Sequence, residues 1–266
     1  MGRALTGEMR RQASSRLPPS DDGRIYRRRV LIRSGSGYAS ADVEDTHHRF
    51  GVDITHCGGV VGGVAGRPLR TPWTTCPLAA RSLEGFIGKT MPPSPFAALR
   101  QIQLAEQCTH MADMGALAIA AVARNILRRR YDVEIARTRS TGKLTHHANV
   151  ARDEGPISQW TITDGLIETP GRLSGRRLSR AASWISDVAQ AEDEIEELFI
   201  LQRAVLVAGE ESIDLDLYDA PEGSAWLPGA CFAFQPVRVG LGRRNRGNTR
   251  DFTDRPNALL ADLANA

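Results

Sequence analysis

Between His48 and His56 the side chains alternate: His48, Phe50, Val52, Ile54 and His56 fall on one side, Arg49, Gly51, Asp53 and Thr55 on the other. Period-two alternation marks a half-buried strand. Gly58-Gly59 then supplies a hairpin turn, and Val60 to Ala65 returns as a second strand. Tyr26 to Ser34 has an apolar, β-branched centre and predicts an earlier strand. Tyr131 to Arg137, Ala148 to Arg152 and Ile157 to Thr163 predict later ones, the last two joined by a turn at Asp153-Glu154-Gly155.

The pattern changes from about Thr109 to Arg129, which is rich in Ala, Leu, Ile and Met and closes on Arg124 and Arg128 to Arg130. Basic residues there suit the negative end of a helix, and a helix this apolar belongs in the core under a sheet. Leu78 to Ile87 predicts a short helix ending at Gly88. Leu178 to Val188 and Ala191 to Leu206 predict two more, the second opening on Asp193, Glu194, Glu196 and Glu197. The expected fold class is therefore α+β: a mainly antiparallel sheet packed around a central apolar helix, with the 178–206 helices covering an edge or face.

Composition adds the domain plan. Apolar residues at 41% are enough for a sizeable core, whereas residues 1–25 are basic, carry Pro18 and Pro19, and hold few bulky apolar groups. Such a segment does not bury enough surface to offset its ordering entropy. The expectation is a disordered basic leader over 1–25 and a single α+β domain over 26–266. Residues 1–34 hold nine arginines against Glu8, Asp21 and Asp22, so the small net charge of +3 hides an acidic body. Met1 to Ser20 has no apolar stretch of the secretory type; its Arg- and Ser-containing composition is like that of a transit peptide, without an apolar face. The longest apolar stretch, Met111 to Val122, is short and contains Asp113, so no membrane span is expected. The four cysteines include no Cys-x-x-Cys pair, which argues against a structural zinc site. A cytoplasmic location follows as the default.

Reactive side chains gather in two segments: Glu44, Asp45, Thr46, His47 and His48, and then Cys108, Thr109, His110 and Asp113. With Thr109 as N-cap, His110 and Asp113 lie three apart on one helix face, and Cys108 sits by the positive end, where a thiol pKa is lowered. His48 shares the strand face of Phe50, Val52 and Ile54 and points inward. An inward histidine beside a His–Asp pair makes a proton-transfer site in an apolar pocket; a hydrogen-bonded core histidine is the bland alternative. Cys76, between Pro72 and Pro77 after Trp73, reads as inert filler, Cys57 as incidental, and His146-His147 as part of a solvated loop. No Walker loop, G-x-G-x-x-G or G-x-S-x-G is present, so nucleotide cofactors and a hydrolase elbow lack support. The arginines Arg243, Arg244, Arg246 and Arg250 have few aromatic neighbours and read as solvated surface, so no nucleic-acid partner is expected.

These motifs resemble the bacterial domain-of-unknown-function family DUF2889. The resemblance rests on Glu44-Asp45 with His48-Arg49-Phe50, on Pro72-Trp73-Thr74-Thr75-Cys76-Pro77, and most specifically on Cys108-Thr109-His110 with Asp113. Leu215-Asp216, Cys231 to Pro236 and Arg250-Asp251-Phe252 extend it to the C-terminal region. It implies one unit from about residue 26 onward and no established reaction. The family pattern carries an acid two places before the strand histidine, where this chain departs with Thr46, so Asp45 or Glu44 would have to substitute.

The functional expectation is a small-molecule enzyme of lyase, isomerase or hydrolase type, acting by acid–base chemistry on a carbonyl-bearing or phenolic substrate. His48 and His110 are the acid–base groups, Asp45 and Asp113 orient them, and Cys108 stands alongside. A divalent metal on His48, His110 and Asp113 is a variant of this expectation. The alternative is a non-catalytic small-ligand-binding or accessory protein using the same pocket.

Overall fold

The computed structural model describes residues 17–18, 20–155, 157–209, 214–224 and 229–263. The eight strands are β1 (Tyr26–Gly35), β2 (Tyr38–Glu44), β3 (Arg49–Cys57), β4 (Val60–Arg70), β5 (Arg128–Ser140), β6 (Lys143–Arg152), β7 (Ser158–Thr163) and β8 (Leu166–Thr169). They form one sheet in the order β4-β3-β2-β1-β5-β6-β7-β8. Every neighbouring pair is antiparallel. The helices are α1 (Pro95–Leu99), α2 (Thr109–Ala123), α3 (Ala181–Val188) and α4 (Glu192–Ala208), with a 3-10 run over Cys76–Phe86. The fold is α+β, with α2 lying across β1 to β4 and α4 across β5 and β6.

The apolar residues expected to pack do so. Phe50, Val52 and Ile54 of β3 meet Met111, Leu117 and Ile119 of α2 in one core, each of them nearly inaccessible. Helix α2 stops at Ala123 rather than Arg129. Asn125 takes a positive φ of 55°, the amide of Ile126 donates to Ala121 O, and that of Asn125 donates to Val122 O. This is the double hydrogen bond of a Schellman ending, in which a left-handed residue closes the last turn. Arg128 to Arg130 therefore open β5, and Arg129 and Arg124 pair with Asp193 and the fully buried Glu196 of α4. Tyr131 donates to Glu196 as well, at 2.8 Å. This cluster fixes the start of α4 against the middle of the sheet.

Three further expectations are corrected. His146 and His147 lie in β6, not in a loop, and His146 is buried. Arg244 is buried, donating to Asp216 and to Pro72 O, so it holds the C-terminal segment rather than facing solvent. Most of the expected leader lies outside the described residues, but its end is docked. Ser20 is buried and accepts from Arg137 N, Asp21 N donates to Arg137 O, and Asp22 pairs with the Arg137 guanidinium. The domain therefore includes Ser20. Among the described residues no helix is long and apolar enough to cross a membrane.

Leu117 is fully enclosed between α2 and the sheet. Leu117→Ala should lower unfolding stability by about 2–5 kcal/mol in a denaturant titration, the cost of a cavity in a packed core. A change within about 0.5 kcal/mol would place the side chain outside the core.

Candidate active site

The site begins where the β1–β2–β3 ladder ends. Glu44 pairs with Arg29 on one side and Arg49 on the other, and the chain then turns through Asp45 to His48. Two devices hold this turn. Asp45 Oδ1 accepts from the amides of His47 (3.1 Å) and His48 (3.0 Å), the local side-chain bonding that aspartate favours at turns. Arg70 of β4 donates to the carbonyls of Thr46, Asp45 and His48, so its guanidinium clamps the loop from outside.

Asp45 is wholly buried. Besides the two amides, Oδ1 meets His48 Nδ1 at 2.9 Å. Oδ2 accepts from Tyr26 Oη (3.1 Å), Arg28 Nε (3.1 Å) and Arg28 Nη2 (2.6 Å). Burial alone would raise this carboxyl's pKa, but the charges of His48 and Arg28 and the hydrogen bond from His48 outweigh it and hold the pKa well below the usual range. Asp45 is thus a fixed anion with both oxygens engaged.

Its contacts set the protonation of both histidines. A carboxylate only accepts, so the neutral His48 ring carries its proton on Nδ1 and leaves Nε2 as the base. His48 Nε2 has no protein partner among the described residues. Arg28 Nη2 stands 2.9 Å from His110 Nε2; a guanidinium only donates, so His110 carries its proton on Nδ1. Burial, together with the charges of His48 and Arg28, drives the His110 pKa well below normal and keeps the ring neutral. The two rings stack with centroids 3.9 Å apart and planes 25° from parallel, and Phe50 continues the stack beside them. The strand and the first turn of α2 thus bring His48 and His110 together.

Both rings line a cavity of ≈ 330 Å³ whose other walls include Phe50, Trp73, Phe234, Leu206 and Val207. His47 also lines it; burial, then the charge of His48, lowers its pKa to about 4. Such a pocket, apolar with a few convergent polar groups, is the usual form of a small-molecule site.

Asp113 departs from its expected role. It lines the same cavity, but its Oδ2 lies 2.8 Å from Arg203 Nε on α4, and its ion pair is with that guanidinium rather than with His110. Burial raises its pKa to about 6, against the pull of Arg203 and Arg28. Asp45, not Asp113, is the orienting acid. Cys108 departs too. It is itself the N-cap of α2, and Thr109 is the first helical residue. The amides of Met111 and His110 favour its thiolate, but burial dominates and, with Cys231 nearby, pushes the pKa up to about 12. Desolvation overrides the helix end here. Cys76 is likewise buried, with a strongly raised pKa, and stays a wall of the cavity.

A metal was expected on His48, His110 and Asp113, but the groups that converge are Asp45, His48 and His110, with ligand atoms within 4.8 Å of one another. They do not fit a shared ion in this arrangement. A bound metal lies in the plane of each imidazole, about 2 Å from the nitrogen. Two rings 25° from parallel and 3.9 Å apart have planes that meet well beyond that distance. Arg28 Nη2 already bridges Asp45 Oδ2 and His110 Nε2, so the guanidinium occupies the cationic position.

Sequence reasoning missed Tyr26, Arg28, Arg70 and Arg203. For Arg28 a signal existed: Tyr26, Arg28, Val30 and Ile32 all fall on the inward row of β1, and an arginine in such a row needs a buried acid. For Arg203 none existed, because only the packing of α4 brings it to α2.

The thiol assignments are open to direct measurement. Ellman's reagent should label the exposed Cys57 rapidly, while Cys108 reacts about a thousandfold more slowly at mildly alkaline pH, as its thiolate fraction requires. Fast labelling of Cys108 in the native protein would contradict the assignment.

No family model, curated protein or solved structure matches this chain.

Proposed function

We propose that this chain is a small-molecule enzyme of lyase, isomerase or hydrolase type, working by acid–base chemistry on a carbonyl-bearing or phenolic substrate. One observation carries the reading: His48 is held through Nδ1 by a buried, ionised Asp45 at 2.9 Å and faces an apolar cavity with Nε2 unpartnered among the described residues. His48 Nε2 takes a proton from the substrate or from water, and Asp45 stabilises the imidazolium that forms. Arg28 lines the same cavity, and its Nη1 has no partner among the described residues; it meets the negative charge that develops on the substrate oxygen, together with His110 Nδ1–H. Preorganised donors in a dry site are an effective source of such stabilisation. His48 then returns the proton to complete the reaction. Cys108 has no covalent role in this scheme. The substrate is a small molecule rather than a nucleic acid, and the four free thiols suit a reducing, cytoplasmic location. The alternative, a non-catalytic ligand-binding or accessory protein, rests on the same largely apolar cavity.

The test uses solvent exchange. The full chain is incubated in D2O with aryl ketones, hydroxyaryl ketones and 2-oxo acids, and deuterium incorporation is followed by NMR. The wild type should exchange at least one of them, and His48→Gln, folded by circular dichroism, should be slower by about 10²–10⁴-fold, the usual loss for a general base. Equal rates in both proteins would sink the catalytic role of His48. Binding of a compound by the wild type without exchange would favour the binding-protein reading.

A further inference from the structure

Arg203 occupies a position that the acid–base scheme does not use. It projects from α4 to the junction of two cavities, lining both the ≈ 330 Å³ cavity of His48 and a neighbouring one of ≈ 240 Å³. Thr109, Asp113 and Ala230 line both as well, so the two cavities share a wall at the first turn of α2. Only Nε of Arg203 is committed, to Asp113 at 2.8 Å in an ion pair without hydrogen-bond alignment. The guanidinium lies over the Phe199 ring, 5.1 Å from its centroid, which limits its orientation. Nη1 and Nη2 have no partners among the described residues, and neither does Thr109 Oγ1.

We propose that the ligand of this cavity is a carboxylate, gripped at the junction by Nη1 and Nη2 of Arg203 with Thr109 Oγ1 as a third donor, while its apolar body extends toward His48. The inference rests on the proposed function for what lies at the His48 end, but not for the anion site. The planar fork of arginine matches a carboxylate in bidentate fashion. Asp113 already offsets part of the positive charge of Arg203, so a monoanion suits the position better than a phosphoryl dianion, which Asp113 would repel. The aromatic and aliphatic walls, Trp73, Phe234, Leu206 and Val207, receive the rest of the molecule. The substrate class narrows accordingly, to an apolar carboxylic acid bearing the carbonyl or phenolic group on which His48 acts.

The experiment is calorimetric titration of the full chain with benzoate, benzamide and phenyl phosphate. The wild type should bind benzoate at least about tenfold more tightly than benzamide, as charge-assisted hydrogen bonds provide. Arg203→Met should erase that preference while leaving benzamide binding in place, and Arg203→Lys should retain part of it. Because Arg203→Met strips Asp113 of its partner, the double variant with Asp113→Asn should show the same loss in a protein that stays folded. Equal affinity of the wild type for benzoate and benzamide, or no binding of either, would overturn the proposal, as would an intact preference in the double variant. Tighter binding of phenyl phosphate would overturn the carboxylate assignment. This readout is independent of turnover: an anion preference can hold with no deuterium exchange, and exchange can hold with no anion preference.

Discussion

The buried carboxylate of Asp45 organises this site. Two backbone amides, a phenol, a guanidinium and an imidazole converge on its two oxygens. An unpaired buried charge costs several kcal/mol, so such an anion is tolerated only where its surroundings satisfy it. The contacts that satisfy it are also those that build the site. The amides shape the β2–β3 turn, Tyr26 and Arg28 tie that turn to β1, and the ring contact sets the His48 tautomer. Arg28 passes the constraint on to His110 through its second nitrogen contact. One anion thereby fixes the protonation of two histidines on two different elements.

A second buried carboxylate plays a matching part at the other half of the sheet. Glu196 receives Tyr131, Arg124 and Arg129 and pins the start of α4 to the end of α2 and to β5. The same helix later delivers Arg203, Leu206 and Val207 to the cavity. Part of the cavity wall is thus two helices and a strand turn, each anchored by buried charge.

The strand alternation at 48–56 and the apolar stretch after Thr109 were legible because their periods are simple and their partners are apolar. The neighbouring β2 was not: Ala39, Ala41 and Val43 do alternate with Ser40, Asp42 and Glu44, but the apolar row is mostly small, and the polar row is buried too because Asp42 and Glu44 are satisfied by arginines from other strands. The end of α2 was misplaced because Arg128 to Arg130 suit a helix terminus as well as a strand that pairs with acids, and only the left-handed Asn125 decides between them. At the site, His48, His110, Asp45, Asp113 and Cys108 all came from local spacing; four of them line the cavity, and Asp45 reaches it through His48. Their roles depended on long-range packing. Spacing put Asp113 near His110, yet α4 supplies Arg203 and draws Asp113 away. Spacing also put Cys108 at a helix end, yet burial removes the benefit.

The claim that Asp45 sets His48 as a base can be measured on the imidazole itself. In a long-range ¹H–¹⁵N correlation spectrum, followed with pH into the limb where the ring is neutral, His48 should show a protonated Nδ1 and an unprotonated Nε2. A neutral ring protonated at Nε2 would contradict the account, because the nitrogen facing the cavity would then be a donor and not a base.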